Sequence, residues 1–287
     1  MKILLTGSTG FIGKHFLAAY QTAYEIDCFS FLHDTLESLD LHGTDAILHL
    51  SALVHQMQGA PDDAYRRVNV DNTIALAKKA KEAGVPHFIF MSSIKVYGEE
   101  SDQAYDETTP CLPTDPYGQS KLDAENALLE LAGENFTVSI IRTPVVYGEG
   151  VKGNIRSLLK LVERVPVLPF GGIENQRSMV YVGNLCALID AIIKDPKGGL
   201  FLAADPAPVS TTLLIEEIAH ALKKKPLLLK LPLFGWFLKK LKPALHARLF
   251  GSLRLDTHKS NTRLGFTPPF STREGVEAMV RWYKDVA

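Results

Sequence analysis

Short, nearly continuous apolar runs recur through the first two hundred residues. Ile3 to Leu5, the stretch 24–29, the stretch 45–52 around Ile47 and Leu48, 87–91 and 137–142 all have this character. Strands buried on both faces read this way, whereas a half-exposed strand alternates polar and apolar positions. Between the runs lie segments with helical spacing: 14–21, 117–131, and 63–84, whose apolar positions are Val68, Ile74, Leu76, Ala77 and Ala80. Gly84-Val85-Pro86 stops the last of these. Strands alternating with helices predict a doubly wound parallel sheet of the α/β class. Only about fifteen residues separate the second run from the third, so the helix and strand expected there must be truncated. Beyond Gly150 the rhythm changes. A helix over 154–163, another within 179–193 and a last strand over 199–203 are followed by a proline-punctuated stretch that reads as a smaller lobe of short helices and loops.

Composition narrows the class. The chain has 287 residues, 46% of them apolar, and a mean hydropathy near zero, as expected of a soluble globular protein. A net charge of −1 offers no overall reason to expect a nucleic-acid partner. Cys28, Cys111 and Cys186 stand far apart with no CxxC pair, which argues against a metal site or a disulfide framework and suits a reducing cytoplasm. The sequence opens on a strand without a charged leader, and no run approaches the ~20 apolar residues of a membrane span. The expected location is therefore cytoplasmic.

The chemistry begins at Thr6-Gly7-Ser8-Thr9-Gly10-Phe11-Ile12-Gly13. A glycine trio between a buried strand and a helix start is where a Rossmann-type fold binds a dinucleotide pyrophosphate. Gly7 allows the tight turn, Gly10 lets backbone approach phosphate, Gly13 lets helix approach strand, and the helix amides face the anion. The end of the second strand normally selects the cofactor, an acid for the ribose of NAD or an arginine for the phosphate of NADP. Here Cys28-Phe29-Ser30-Phe31-Leu32-His33 supplies neither, and Asp27 falls too early. Small residues, Ser51 and Ala52, end the third run and let a cofactor lie against the sheet edge. Tyr117 and Lys121 are four apart at a helix start and so share one face. A nearby ammonium favours a phenolate, which would let Tyr117 act as a general base. Ser93, ending the neighbouring strand, can hydrogen-bond the same reacting oxygen.

The set TGSTGFIG, LHLSA, RRVNVDNT, FIFMSSIKVYGE, PYGQSK, IRTPVVYGEG and RSMVYVGNL resembles the extended short-chain dehydrogenase/reductases, specifically the NAD-dependent epimerase/dehydratase family of nucleotide-sugar enzymes. The resemblance runs over nearly the whole chain. It implies a Rossmann domain over 1–150, with 178–203 returning to it, and a substrate-binding lobe from 151–177 and 204–287. It implies NAD or NADP, NAD ahead, held by Gly7, Gly10, Phe11, Ile12, Gly13, Ser30, Ala52, Asn69, Tyr117, Lys121, Pro144 and Val145. The catalytic set implied is Ser93, Tyr117 and Lys121. A UDP-linked sugar would meet Ser93, Lys95, Asn154, Arg177 and Arg248, the arginines clamping its diphosphate.

Within that family, 4,6-dehydratases carry an Asp-Glu pair directly after the catalytic hydroxyl, and this chain has Ile94 and Lys95 there. An aliphatic side chain cannot protonate a departing hydroxyl, so hydride chemistry at C4 is the expectation. The branch resembled points first to a 4-ketoreductase of a UDP-4-keto-6-deoxy-N-acetylhexosamine in bacterial surface polysaccharide biosynthesis. A 4-epimerase of UDP-glucose or UDP-N-acetylglucosamine with bound NAD is the alternative, and a non-catalytic dinucleotide sensor is a third reading. Relatives form homodimers through two helices per subunit, here those over 63–84 and 117–131. The segment 218–255 has nine basic residues and no acidic one, interleaved with Leu, Phe and Trp. That composition raises peripheral membrane contact through 223–248 as an alternative to an ordinary substrate lobe.

Overall fold

The computed structural model describes residues 1–54, 61–98 and 103–286. Its centre is a six-stranded parallel sheet of β1 (Lys2–Thr6), β2 (Glu25–Phe29), β3 (Ala46–His49), β4 (His87–Ser93), β5 (Thr137–Thr143) and β9 (Gly199–Leu202), in the order β2-β1-β3-β4-β5-β9. The order reverses between β1 and β3, so the crevice beyond their carboxyl ends is the topological switch point of the sheet. Residues 30–45 contain only turns, and β2 is accordingly an edge strand.

Alternate residues of these strands feed two cores. Ile3, Leu5, Ile89, Met91 and Ile141 pack with Phe16 of α1 (Phe11–Tyr20) and with the apolar face of α6 (Val182–Lys194). Leu4, Ile47, Phe88, Phe90 and Ile140 pack on the other face against Leu76, Ala77 and Ala80 of α3 (Asn72–Glu82) and Ala124 and Leu128 of α4 (Pro116–Leu131). Burying both faces is what makes the strands read as continuous apolar runs.

Three boundaries depart from the sequence reading. Helix α1 starts at Phe11 directly after Gly10, three residues earlier than the side-chain spacing suggested. The helix expected over 63–84 is a rod of three parts: α2 (Asp62–Tyr65), one wide π turn at Arg66–Asp71, and α3. The last lobe is more helical than its prolines implied. It contains α7 (Thr211–Leu222), α8 (Phe234–Leu241), α9 (Pro243–Phe250), α10 (His258–Leu264) and α11 (Thr272–Val286). Val276, Met279, Val280 and Tyr283 give α11 a clear apolar face at helical spacing that the prolines before it obscured. Between sheet and lobe lie β6 (Val145–Tyr147), α5 (Gly153–Arg164), β7 (Val167–Leu168) and β8 (Met179–Tyr181). Strand β6 pairs with β8, and β7 with β10 (Leu227–Leu228).

Candidate active site

The turn after β1 is shaped by clearances that only glycine provides. Gly7 has φ +72°, and a Cβ there would lie 2.8 Å from the Ser51 amide nitrogen. At Gly13 a Cβ would fall against the Gly7 carbonyl, so the helix can sit this close only without a side chain. No side chain caps α1, leaving its first amides directed out of the helix end, as an anion site requires. Phe11 and Ile12 form the first helical turn, and the Phe11 ring lies beside Gly150.

Behind the turn runs a chain of buried hydrogen bonds. The Ser51 amide donates to Thr6 Oγ1 (3.1 Å), and Thr6 Oγ1 bonds His49 Nδ1 (2.7 Å). His49 Nε2 bonds Thr73 Oγ1 (2.9 Å), which donates to the Asn69 carbonyl (2.8 Å). Since Thr73 donates onward, His49 must present Nε2–H to it and accept at Nδ1 from Thr6, which fits a neutral ring. Burial, with the Lys121 charge adding to it, holds the His49 pKa down to about 3. Asn69, fully buried in the π turn, accepts from the Leu53 amide (2.8 Å) and donates to the Leu53 carbonyl and to Ser120 Oγ, both at 3.0 Å. Ser120 Oγ donates to the Tyr117 carbonyl (2.8 Å). Asn69 thus braces the Ala52–Leu53 loop against the helix that carries Tyr117.

The residues expected to do chemistry gather at the carboxyl end of β4. Asp115 caps α4 by accepting from the Gly118 amide (2.7 Å), and Pro116 occupies the first turn. A Cβ on Gly118 would lie 2.6 Å from the Lys95 carbonyl oxygen. The bare glycine therefore lets α4 dock on the turn Ile94–Val96, which follows directly on Ser93, and so brings the start of α4 with Tyr117 to the end of β4. One turn further, Lys121 is buried beneath the sheet. Its Nζ donates to the Met91 carbonyl (2.8 Å) and lies 4.5 Å from the Phe90 ring centre.

Burial acts on these two groups in opposite senses, because it disfavours whichever form is charged. It pushes the Tyr117 phenol up to about 12, against the Ser93 hydrogen bond that favours the phenolate. It pushes Lys121 down to about 7, partly countered by Glu125. The lysine-depressed phenol expected from the spacing is not the resting arrangement, since the Lys121 amine is turned to the Met91 carbonyl.

The remaining expected residues fall in distinct places. Ser30 ends β2, and its amide donates to Asp34 Oδ2 (2.8 Å). The turn thus folds an acid back onto a strand end that lacked one in the linear sequence. Asp27 pairs with Lys2 at 3.1 Å on the sheet edge. Pro144 is buried and Val145 is 46% exposed, just beyond β5. Lys95 pairs with Asp115 at 3.1 Å, and Ile94 is buried with Val96, Tyr97, Leu202 and Leu253. Asn154 is exposed in the first turn of α5. Arg177 donates to the Ala247 and Gly251 carbonyls at the end of α9 (3.2 and 3.0 Å), one residue from Arg248. Backbone pairing of Arg177 with Leu253 ties this pair to the apolar cluster behind Ser93. Asn154 is carried by α5, Arg177 precedes β8 and Arg248 lies on α9, whereas Ser93 ends β4 and Tyr117 and Lys121 lie on α4.

Several supporting residues escaped the sequence reading. Glu125 accepts from Arg142 at 2.6 Å, both nearly inaccessible, and also takes the Ser92 hydroxyl. The pair fastens α4 to the strand ends flanking Ser93. Tyr65 sets its ring edge-on to Tyr117 at 6.3 Å. Asp115 had a legible signal, an Asp immediately before Pro-Tyr at a helix start. Glu125 and Arg142 had none, because they meet only after α4 packs on β5.

Known proteins place this arrangement. The family described as "NAD dependent epimerase/dehydratase family" matches residues 3–201. A UDP-glucose 4-epimerase of Vibrio cholerae is 36% identical over 95% of this chain and 92% of its own length. An Escherichia coli O157:H7 protein, N-acetyl-alpha-D-glucosaminyl-diphospho-ditrans,octacis-undecaprenol 4-epimerase, is 30% identical over 78% of this chain and 73% of its own. The crystal structure of a UDP-glucuronic acid 4-epimerase from Bacillus cereus in complex with NAD superposes with a TM-score of 0.79 at 22% identity. It covers 100% of this chain and 99% of that one, and so shares the fold. With the glycine turn at the switch point and the Ser-Tyr-Lys group beside it, the chain belongs to the NAD-dependent epimerase/dehydratase family of extended short-chain dehydrogenase/reductase enzymes.

Proposed function

We propose that this enzyme is an NAD-dependent 4-epimerase of a UDP-linked sugar, with Ser93, Tyr117 and Lys121 as its catalytic group. The observation that carries the reading is the convergence of Ser93 at the end of β4 with Tyr117 and Lys121, one turn apart at the start of α4. The turn suits the cofactor, since the bare glycines at 7 and 13 let the uncapped start of α1 pack tightly on the turn with its amides directed outward. Gly7, Gly10, Phe11, Ile12 and Gly13 hold its diphosphate, and Ala52, Pro144 and Val145 line its path. Asn69 braces the loop it lies on. Asp34, folded onto Ser30, supplies the acid that favours NAD over NADP. When bound, the dinucleotide supplies the hydride acceptor and donor.

Tyr117 Oη takes the C4 hydroxyl proton as C4 becomes a ketone, and returns a proton when the ketone is reduced on its opposite face. Ser93 hydrogen-bonds the same oxygen throughout. Lys121 positions the phenol and biases it toward the phenolate when charged. The lobe formed by 151–177 and 204–287 grips the substrate, with Asn154, Arg177 and Arg248 on the diphosphate and Lys95 near the sugar. Ile94, buried among apolar side chains, keeps dehydration chemistry out. A homodimer through α3 and α4 completes the reading. It is supported by the family resemblance and by the 47% exposure of Leu129 on α4, and sedimentation velocity tests it.

Pure protein with UDP-glucose or UDP-N-acetylglucosamine should interconvert C4 epimers without added cofactor. Stoichiometric NADH consumption with a UDP-4-keto-6-deoxy sugar, and no epimerisation, would replace this reading by the 4-ketoreductase. The exposed apolar residues Trp236, Phe237 and Leu241 of α8 favour a second substrate reading, a sugar diphosphate on a polyprenol carrier. Parallel incubation of UDP-linked and polyprenyl-diphosphate-linked N-acetylglucosamine separates the two carriers.

A further inference from the structure

Helix α8 carries Phe234, Trp236, Phe237, Leu238 and Leu241 beside Lys239 and Lys240, yet none of its residues is buried. An amphipathic helix normally turns its apolar side to a core or to a membrane interface. The inner side accounts for half of it: the Phe234 ring meets Phe170 at 5.9 Å and Phe250 at 6.2 Å. The outer side holds Leu233, Trp236, Phe237 and Leu241, spaced i, i+3, i+4 and i+8, which are 65%, 51%, 52% and 78% exposed. The segment leading into it also exposes Leu227, Leu229 and Leu231 at alternate positions. So large a continuous apolar surface marks an interaction site.

Charge identifies the partner. Of the 31 Lys and Arg in the chain, nine lie in 218–255, and none of the 32 Asp and Glu does. The rest of the chain is left with 22 basic against 32 acidic groups. Lys223 to Lys225, Lys239, Lys240 and Lys242 are all exposed, and Lys240 Nζ sits 4.1 Å over the Trp236 ring. Lysines snorkelling beside Trp, Phe and Leu are the signature of a helix lying in a bilayer interface. A second copy on the same face would set like charges against each other across a twofold axis. An anionic surface would neutralise them.

We propose that the outer face of α8 and the segment before it form a docking surface for an anionic lipid bilayer, with α8 lying in the interface plane. Eight residues cannot cross a membrane, and no helix among the described residues is long and apolar enough to do so. Helix α9 follows α8, and Arg177 donates to its terminal carbonyls. Docking therefore sets the candidate diphosphate clamp beside the membrane surface. The inference does not depend on which carrier bears the sugar.

The test is co-sedimentation of the full-length protein with vesicles of phosphatidylcholine, with and without phosphatidylglycerol. The protein should pellet with the mixed vesicles only, be released by high salt, and show a blue shift of Trp236 emission. Phe237→Ser/Leu241→Ser should weaken partitioning roughly tenfold or more. Lys239→Gln/Lys240→Gln should weaken it by roughly twentyfold, about fivefold per lysine. Circular dichroism of both variants checks that the lobe remains folded. The proposal fails if wild type stays in the supernatant with anionic vesicles, or if both variants bind as wild type does. It also fails if wild type ignores vesicles but forms a dimer that Phe237→Ser/Leu241→Ser dissociates. Epimerase activity measured without vesicles in the same preparations keeps a failure here separate from a failure of the catalytic reading.

Discussion

Tyr117 and Lys121 show how one environment sets up two groups. Burial holds the phenol neutral up to about 12 and lets the amine lose its proton near 7, so the resting site avoids a separated ion pair. Tyr117→Phe keeps the ring against Tyr65 and removes only the proton carrier. Turnover should fall by roughly 10²–10⁴-fold, with NAD binding little changed by fluorescence titration; near-normal turnover would remove Tyr117 from the mechanism. Lys121 is a different kind of residue, a cation kept in a place that disfavours cations. Lys121→Met should lower turnover yet raise the unfolding free energy from urea denaturation by roughly 1–3 kcal/mol, because replacing a buried charge with an apolar side chain of similar length is often stabilising. A destabilised Lys121→Met would mean that the bond to the Met91 carbonyl outweighs the desolvation of the amine.

At the scale of elements, α4 is positioned by what is missing from it. Ala favours a helix over Gly by about 1 kcal/mol, so propensity alone would make Gly118→Ala stabilising. The added Cβ would lie 2.6 Å from the Lys95 carbonyl, and backbone cannot yield cheaply. Overpacking should win, with a loss of roughly 1–3 kcal/mol and a fall in turnover as Tyr117 leaves Ser93. Gly133→Ala, where nothing lies within 4 Å of the added carbon, is the control and should change neither. The same helix shows what was legible beforehand. The YxxxK spacing, the Ser-Ser strand end and the glycine trio are local patterns, and local geometry carries them into the structure. The clearance at Gly118, the buried Glu125–Arg142 pair and the acid that Asp34 brings to Ser30 come from tertiary closure, which no spacing along the chain encodes. The π turn at Arg66–Asp71 lies between. Its sequence reads as plain helix, and only the bonds that Asn69 makes to Leu53 and Ser120 show why the extra residue is accommodated.

At the scale of the molecule, two buried histidines tie the sheet to its surroundings and make its stability depend on acid. His49 joins β1 and β3 to the helix layer. His87 bonds Ser139 Oγ at 2.8 Å, and Ser139 in turn donates to the Lys197 carbonyl (2.9 Å), joining β4 and β5 to the loop before β9. Burial lowers their pKa values to about 3 and about 4, while an unfolded histidine titrates near 6.5. Between those limits the unfolded chain binds more protons than the folded one, so stability rises with pH there and is level above 6.5. Each histidine costs about 1.4 kcal/mol per pH unit as pH falls below 6.5. Together they remove about 4 kcal/mol by pH 5, a large share of the stability of an ordinary domain. Urea denaturation at pH 7.5, 6.0 and 5.0 should show this slope. His87→Gln retains a donor for Ser139 and should roughly halve it, at a modest cost at neutral pH. An unchanged midpoint from pH 7.5 to 5.0 would mean that both rings take up a proton without unfolding. A protonated His49 would donate at Nδ1 to Thr6 Oγ1, which already accepts from the Ser51 amide, so the Thr6 hydroxyl would have to find another acceptor.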